Sequence, residues 1–207
     1  LENTLKTMDY IEAWLKENLS DKRFLHSLGC AECAQKLAKM YNQDESKAYL
    51  AGLIHDCAKN FEDNKLYEII VNEIKTGYKE SELKNPKTYH AIAGAYLAKK
   101  NFEIEDSEII SAIRNHTIGK VDMTTFDKII YLADKIEPNT RDEKYSKKIL
   151  KILENNKGVI GLDIAIFKTV KETLKSLVKR QLYICPETID VYNSLVIRVG
   201  DLLDEDI

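Results

Sequence analysis

Leu50-Ala51-Gly52-Leu53-Ile54-His55-Asp56-Cys57-Ala58-Lys59 sets a histidine and an aspartate side by side at the end of an otherwise apolar stretch. Asp44 is placed to cap a helix whose Leu50, Leu53, Ile54 and Ala58 recur at helical spacing. Adjacent helical residues point about 100° apart, so His55 and Asp56 can share one site only where a helix ends or several helices converge. Cys57-Ala58-Lys59-Asn60-Phe61 reads as such an ending. A buried, unpaired aspartate is costly, and a cation or strong hydrogen bonds must compensate.

The helical period continues outward on both sides. Ser20 and Asp21 are N-cap candidates for a helix running to about Met40. Further helices are expected over 61–75, ended near Gly77, and over 88–100 behind Pro86. Another runs from an Asp106 cap to His116 with Gly119 as its stop, and one covers 125–137 before Pro138. Residues 144–203 hold three more, divided by Asn155-Asn156-Lys157-Gly158 and by Pro186. No alternating strand pattern, internal repeat or long Gly/Ser or Pro linker interrupts them. The expectation is an all-α protein with one domain over residues 1–207, a helical bundle of about eight to ten helices.

A chain of 207 residues can bury roughly 70% of its unfolded surface, enough for a core without staples. The net charge of −3 gives no support for a nucleic-acid binder. Residues 1–19 mix Glu, Lys and Asp among apolar positions, unlike a signal peptide. No apolar run approaches the ~20 residues that cross a bilayer. A cytoplasmic protein is expected, with Cys30, Cys33, Cys57 and Cys185 as reduced core thiols rather than a zinc or redox motif. Lys168, Lys171, Lys175 and Lys179 read as the solvated face of a helix. An apolar helix face left over would serve either the core or a homodimer.

The chain has four histidines: His26, His55, His90 and His116. Taken singly, each has an ordinary reading. His26 fits a semi-buried core position, and His116 fits a partner for a helix C-terminus. His90 precedes the small-residue face Ala91-Ile92-Ala93-Gly94-Ala95. Asp134, inside Ile129-Ile130-Tyr131-Leu132-Ala133-Asp134, is either salt-bridged or a ligand. Taken together with Asp56, they form a mixed nitrogen and oxygen set suited to a first-row divalent metal. Such a cation activates water near neutral pH and neutralises phosphate charge.

The order His…His-Asp…His…His…Asp on a helical chain resembles the HD-domain superfamily of metal-dependent phosphohydrolases. Four strings are more closely similar to the YqeK family of bacterial symmetrical diadenosine tetraphosphate hydrolases. They are Arg23-Phe24-Leu25-His26-Ser27-Leu28-Gly29, Gly52-Leu53-Ile54-His55-Asp56-Cys57-Ala58-Lys59, His116-Thr117-Ile118-Gly119 and Tyr131-Leu132-Ala133-Asp134-Lys135-Ile136-Glu137-Pro138. The likeness covers residues 10–200. It implies cleavage of a dinucleoside polyphosphate, diadenosine tetraphosphate, to ADP. It also implies a divalent or trivalent transition metal, iron above all, held by His26, His55, Asp56 and Asp134. His90 and His116 would face the phosphates or bind a second metal bridged through Asp56. Asp56, His90, His116 and Lys59 would carry the chemistry. Arg23, His26, Lys59, Thr117 and Arg141 would contact nucleotide or phosphate, Arg141 standing further from Glu137-Pro138 than the family's arginine. Two rivals remain open: a phosphohydrolase of another nucleotide, and a nucleotide- or metal-binding sensor without turnover. The lack of a Gly-Tyr-Pro string argues against the cyclic-dinucleotide branch.

Overall fold

Short polar side chains open the helices where the pattern predicts breaks. Asp44, Asp106, Thr124 and Asp142 each accept a hydrogen bond from a backbone N–H in the first turn that follows. Ser20 precedes its helix in an extended conformation but makes no side-chain cap. The computed structural model describes the backbone of residues 2–202 and the side chains of residues 8–202, so the expected domain limits at 1 and 207 lie outside the described residues.

Eleven α-helices and no strand are present among the described residues. In chain order they are α1 (Glu2–Asn18), α2 (Asp21–Met40), α3 (Glu45–Ile54), α4 (Asp63–Glu68), α5 (Glu80–Leu83), α6 (Tyr89–Phe102), α7 (Ser107–Asn115), α8 (Thr125–Ile136), α9 (Glu143–Asn155), α10 (Val159–Lys179) and α11 (Pro186–Val199). The count slightly exceeds the expected eight to ten because the four-residue α5 is too short to show a period. The helix expected over 61–75 is α4 continued by a π-helical turn, Ile69–Ile74, closed by left-handed Lys75. Ile69, Ile70 and Ile74 suit either period, so the wider turn leaves no mark in the pattern.

α8 is the centre of the fold. Every residue from Phe126 to Asp134 is buried, and α2, α3, α7, α9 and α10 all pack on it. A helix surrounded on all sides must satisfy its polar groups internally. Asp127 accepts from Ser111 Oγ (2.8 Å) and the Thr124 N–H (2.9 Å) and pairs with Lys120 (3.0 Å). Buried Lys128 meets Asp163 of α10 at 2.6 Å. α2 and α3 lie against each other so closely that a Cβ on Gly52 would stand 2.8 Å from Ala31 Cα.

One continuous apolar core runs from Ile11 to Val199. All four cysteines are free and buried, as expected. Burial pushes the Cys33 and Cys57 thiols up to about 12, which keeps them protonated and inert. The lysine stripe of α10 needs one correction. Lys175 and Lys179 are exposed, but Lys168 is buried, because α9 and α11 pack on either side of α10.

Candidate active site

The fold brings the ends of four helices to the interior of a fifth. His26 projects from the second turn of α2. His55 is the C-cap of α3 and Asp56 follows in the turn, so the helix ends where the adjacent pair requires it. His90 sits in the first turn of α6, His116 is the C-cap of α7, and Asp134 lies in the last turn of α8. All six are buried.

Ligand atoms of His26, His55 and Asp134 lie within 4.8 Å of one another, as do those of His55, Asp56 and His116. The two triplets share His55. His26 Nε2 is 3.1 Å from Asp134 Oδ1, and His55 Nε2 is 3.7 Å from the same oxygen and 3.8 Å from Asp56 Oδ2. On the other side of Asp56, Oδ1 stands 3.3 Å from Nε2 of both His90 and His116.

The outer partners of three rings fix their tautomers. His26 Nδ1 donates to Glu137 Oε1 (2.9 Å), His55 Nδ1 to Gly52 O (2.7 Å) and His116 Nδ1 to Ile113 O (2.7 Å). In each of these rings Nδ1 is engaged and Nε2 is the atom turned toward the carboxylates, the arrangement that metal-binding histidines adopt. Lone pairs facing carboxylate oxygens repel unless a cation or proton lies between them. His55 Nε2 and Asp56 Oδ1 are also buried with no hydrogen-bond partner, which is costly in a low-dielectric interior. The donor set fits a transition metal.

Local charge holds the ligands largely in the required ionisation states. Burial raises the Asp56 carboxyl, but His55, His116 and His90 outweigh it and hold it well below the usual carboxylate value. Asp134 is likewise held low against its burial by Lys135, His26 and His55. Burial pushes His90 and His116 down, toward neutral imidazole. His55 differs. Its burial favours the neutral ring, yet Cys30, Asp56 and Asp134 draw it well upward, so a cation binding there must displace a proton.

Above this cluster opens a cleft of about 430 Å³, lined by Lys22, Arg23, Lys59, Lys135 and Arg141 against the two carboxylates Asp56 and Asp134. Arg23 makes no ion pair among the described residues. Lys59 Nζ lies 2.7 Å from His90 Nε2 and 3.7 Å from Asp56 Oδ1, and burial lowers its proton affinity. Thr117 Oγ1 stands 3.1 Å from Nε2 of both His90 and His116. The turn after α8 returns Arg141 to the cleft despite its spacing from Pro138: Nη2 bonds Asp134 Oδ1 and Nε bonds the Asp134 carbonyl, both at 2.6 Å. All ten residues singled out in the sequence thus gather in one place, with His55 and His90 behind the cleft wall.

Glu137 was not singled out. It is fully buried and accepts from His26 Nδ1, the Asn139 N–H (2.6 Å), the Thr140 N–H (3.1 Å) and Thr140 Oγ1. Gly29 makes room for it, since a Cβ there would stand 2.3 Å from Glu137 Oε2. A carboxylate one residue past the helix bearing Asp134 was the available signal.

The HD-domain family model matches residues 23–139. A symmetrical bis(5'-nucleosyl)-tetraphosphatase of Bacillus subtilis (strain 168) is 34% identical over 184 residues, spanning 89% of this chain and 95% of that protein. One of the same name from Halalkalibacterium halodurans is 34% identical over 183 residues, 88% of this chain and 94% of its own. A crystal structure of a predicted HD superfamily hydrolase involved in NAD metabolism from Clostridium acetobutylicum superposes with a TM-score of 0.85. It is 36% identical and covers 92% of this chain and 97% of its own.

Proposed function

The chain belongs to the HD-domain family and, within it, to the proteins named symmetrical bis(5'-nucleosyl)-tetraphosphatases, and from that membership we propose that it hydrolyses diadenosine tetraphosphate between its two middle phosphates to give two ADP. The observation that carries the reading is the set of histidine Nε2 atoms gathered on Asp56 and Asp134, with His55 Nε2 and Asp56 Oδ1 left without a hydrogen-bond partner.

In this reading His26, His55, Asp56 and Asp134 hold the metal, with iron the expected ion. When bound, the cation supplies Lewis acidity, acidifying water and neutralising phosphate charge. Asp56 faces both halves of the cluster, so His90 and His116 either hold a second cation with it or meet the phosphates directly. Arg23, with no competing ion pair, and Lys59 neutralise the phosphate chain. The Arg141 guanidinium presents its remaining donors to phosphate oxygens from the other wall. Thr117 Oγ1, 3.1 Å from both imidazoles, lines the cleft, where its single hydroxyl proton can turn from a ring nitrogen to a phosphate oxygen. Water adds to one middle phosphorus, the bridging oxygen leaves with the other ADP, and the released proton passes to solvent.

The same reading treats residues 1–207 as one domain around the single core. Four reduced, buried thiols suit a cytoplasmic location.

The test is chromatography of the products from diadenosine tetraphosphate, with metal content measured on the same sample. ADP alone, lost in a folded Asp56→Ala protein, is the expected result. ATP plus AMP would overturn symmetrical cleavage. No turnover by metal-loaded protein would shift the reading to another nucleotide or to a sensor that binds without hydrolysis.

A further inference from the structure

A substrate with two nucleosides needs somewhere to lodge them once its phosphates lie across the cationic cleft. We propose that one adenosine occupies the groove between α9 and α10 lined by Lys135, Arg141, Tyr145, Glu172, Thr173 and Ser176. This assignment rests on the function proposed above and locates a part of the substrate that the metal cluster leaves unplaced.

Continuity is the first argument. Lys135 and Arg141 line both the cleft and the groove, so a chain of phosphates gripped by the cleft leads directly into it. The groove holds about 330 Å³, within the roughly 300–1,000 Å³ typical of small-ligand pockets.

The chemistry lining the groove is the second. Lys135 and Arg141 stand at the end shared with the cleft, and Arg180, just past the end of α10, adds a third cation. Alongside them come a tyrosine ring, hydroxyls, the Leu177 side chain and a carboxylate, groups that suit a base and a ribose diol. Tyr145 Oη donates to Thr169 Oγ1 at 3.1 Å, which fixes the ring as a rigid wall. Thr173 spends its hydroxyl on the Thr169 carbonyl (2.9 Å) and presents its methyl. Ser176 Oγ has no partner among the described residues. Glu172 has one exposed ion pair, to Lys175 at 3.2 Å, and keeps an oxygen to accept from an amino group or a ribose hydroxyl.

The larger cavity elsewhere on the molecule lacks both properties. It holds about 540 Å³ but shares no lining residue with the cleft, lying across the turn that carries His116 and Thr117. Its carboxylates are Glu82, Asp122, Glu187 and Asp190, and its cations Lys79, Arg114 and Lys120 are already paired with acidic groups.

Two experiments test the assignment. Ser176 is exposed, so Ser176→Trp fills the groove without touching the core. It should raise KM for diadenosine tetraphosphate about tenfold or more, with kcat changed less than about threefold. An unchanged KM in the folded variant would overturn the proposal. The second experiment uses wild-type, metal-loaded protein irradiated with 8-azido-ADP. The label should fall on peptides containing Tyr145 or residues 169–180; label confined to 77–82 and 114–122, or none at saturation, would refute the assignment. Labelling does not require turnover, so failure of the subsite and failure of the tetraphosphatase reading are separately visible.

Discussion

At Glu137 one carboxylate collects a ring N–H, two backbone N–H groups and a hydroxyl. That satisfies the acceptor capacity of a fully buried anion and clamps the His26 ring at the same time. Glu137→Gln keeps the shape but sets an amide NH₂ against backbone donors, so the clamp loosens. Outer partners of metal-bound histidines typically contribute ten- to a hundredfold in metal affinity. Competition with a chelator should therefore show affinity about ten- to a hundredfold weaker, with helical circular dichroism unchanged. Equal affinity would remove Glu137 from the site. Its role was illegible in the sequence because it depends on the turn at 137–141 folding back onto α2, a tertiary event with no local pattern. The histidines and aspartates were legible for the opposite reason. Asp56 and Asp134 each stand in an apolar helical run, and the four histidines fall in one order with them, the chain having no other histidines.

At the level of elements, the contact between α2 and α3 carries His26 and His55 toward each other. Gly52 permits that contact, because a Cβ there would meet Ala31 Cα and the Cys30 carbonyl, both at 2.8 Å, and backbone cannot swing aside. Gly52→Ala should cost about 1–3 kcal/mol, the usual range for overpacking, read as a lower urea midpoint with an unchanged slope. An unaltered midpoint would show that the two helices have slack. Helix starts were legible from their caps at Asp44 and Asp106, which satisfy N–H groups that every helix start leaves unpaired, whereas the Thr124 cap shows only in the structure. The π turn after α4 and the four-residue α5 were not, since isoleucines bury equally well in either turn and four residues show no repeat.

The whole molecule carries a net charge of −3, yet the cleft sets five cationic side chains against two carboxylates. A polyanionic substrate is attracted by this local field, not by the average charge. kcat/KM for diadenosine tetraphosphate should fall steadily as salt is added, because exposed charges are screened within about 10 Å at 0.1 M ionic strength. A salt-independent value would mean the cleft cations act only after capture. Metal should also stabilise the folded protein by mass action. At a hundredfold excess over Kd the gain is about 2.7 kcal/mol, or about 5–10 °C in melting temperature for a chain of this size. Chelation followed by thermal melting checks this, and identical curves would argue against a cation in the cluster.

The proposed ligands are separated widely along the chain, from His26 to Asp134, and the last of them sits on the helix around which the others pack. A nascent chain exposed only as far as Phe102 already offers His26, His55 and Asp56, but neither the second aspartate nor Glu137 to hold His26 in place. Such an intermediate has only a loose, incomplete donor set. The full donor set forms only once α8 has packed against α2 and α3, so the site is a product of the folded core and not of any one segment.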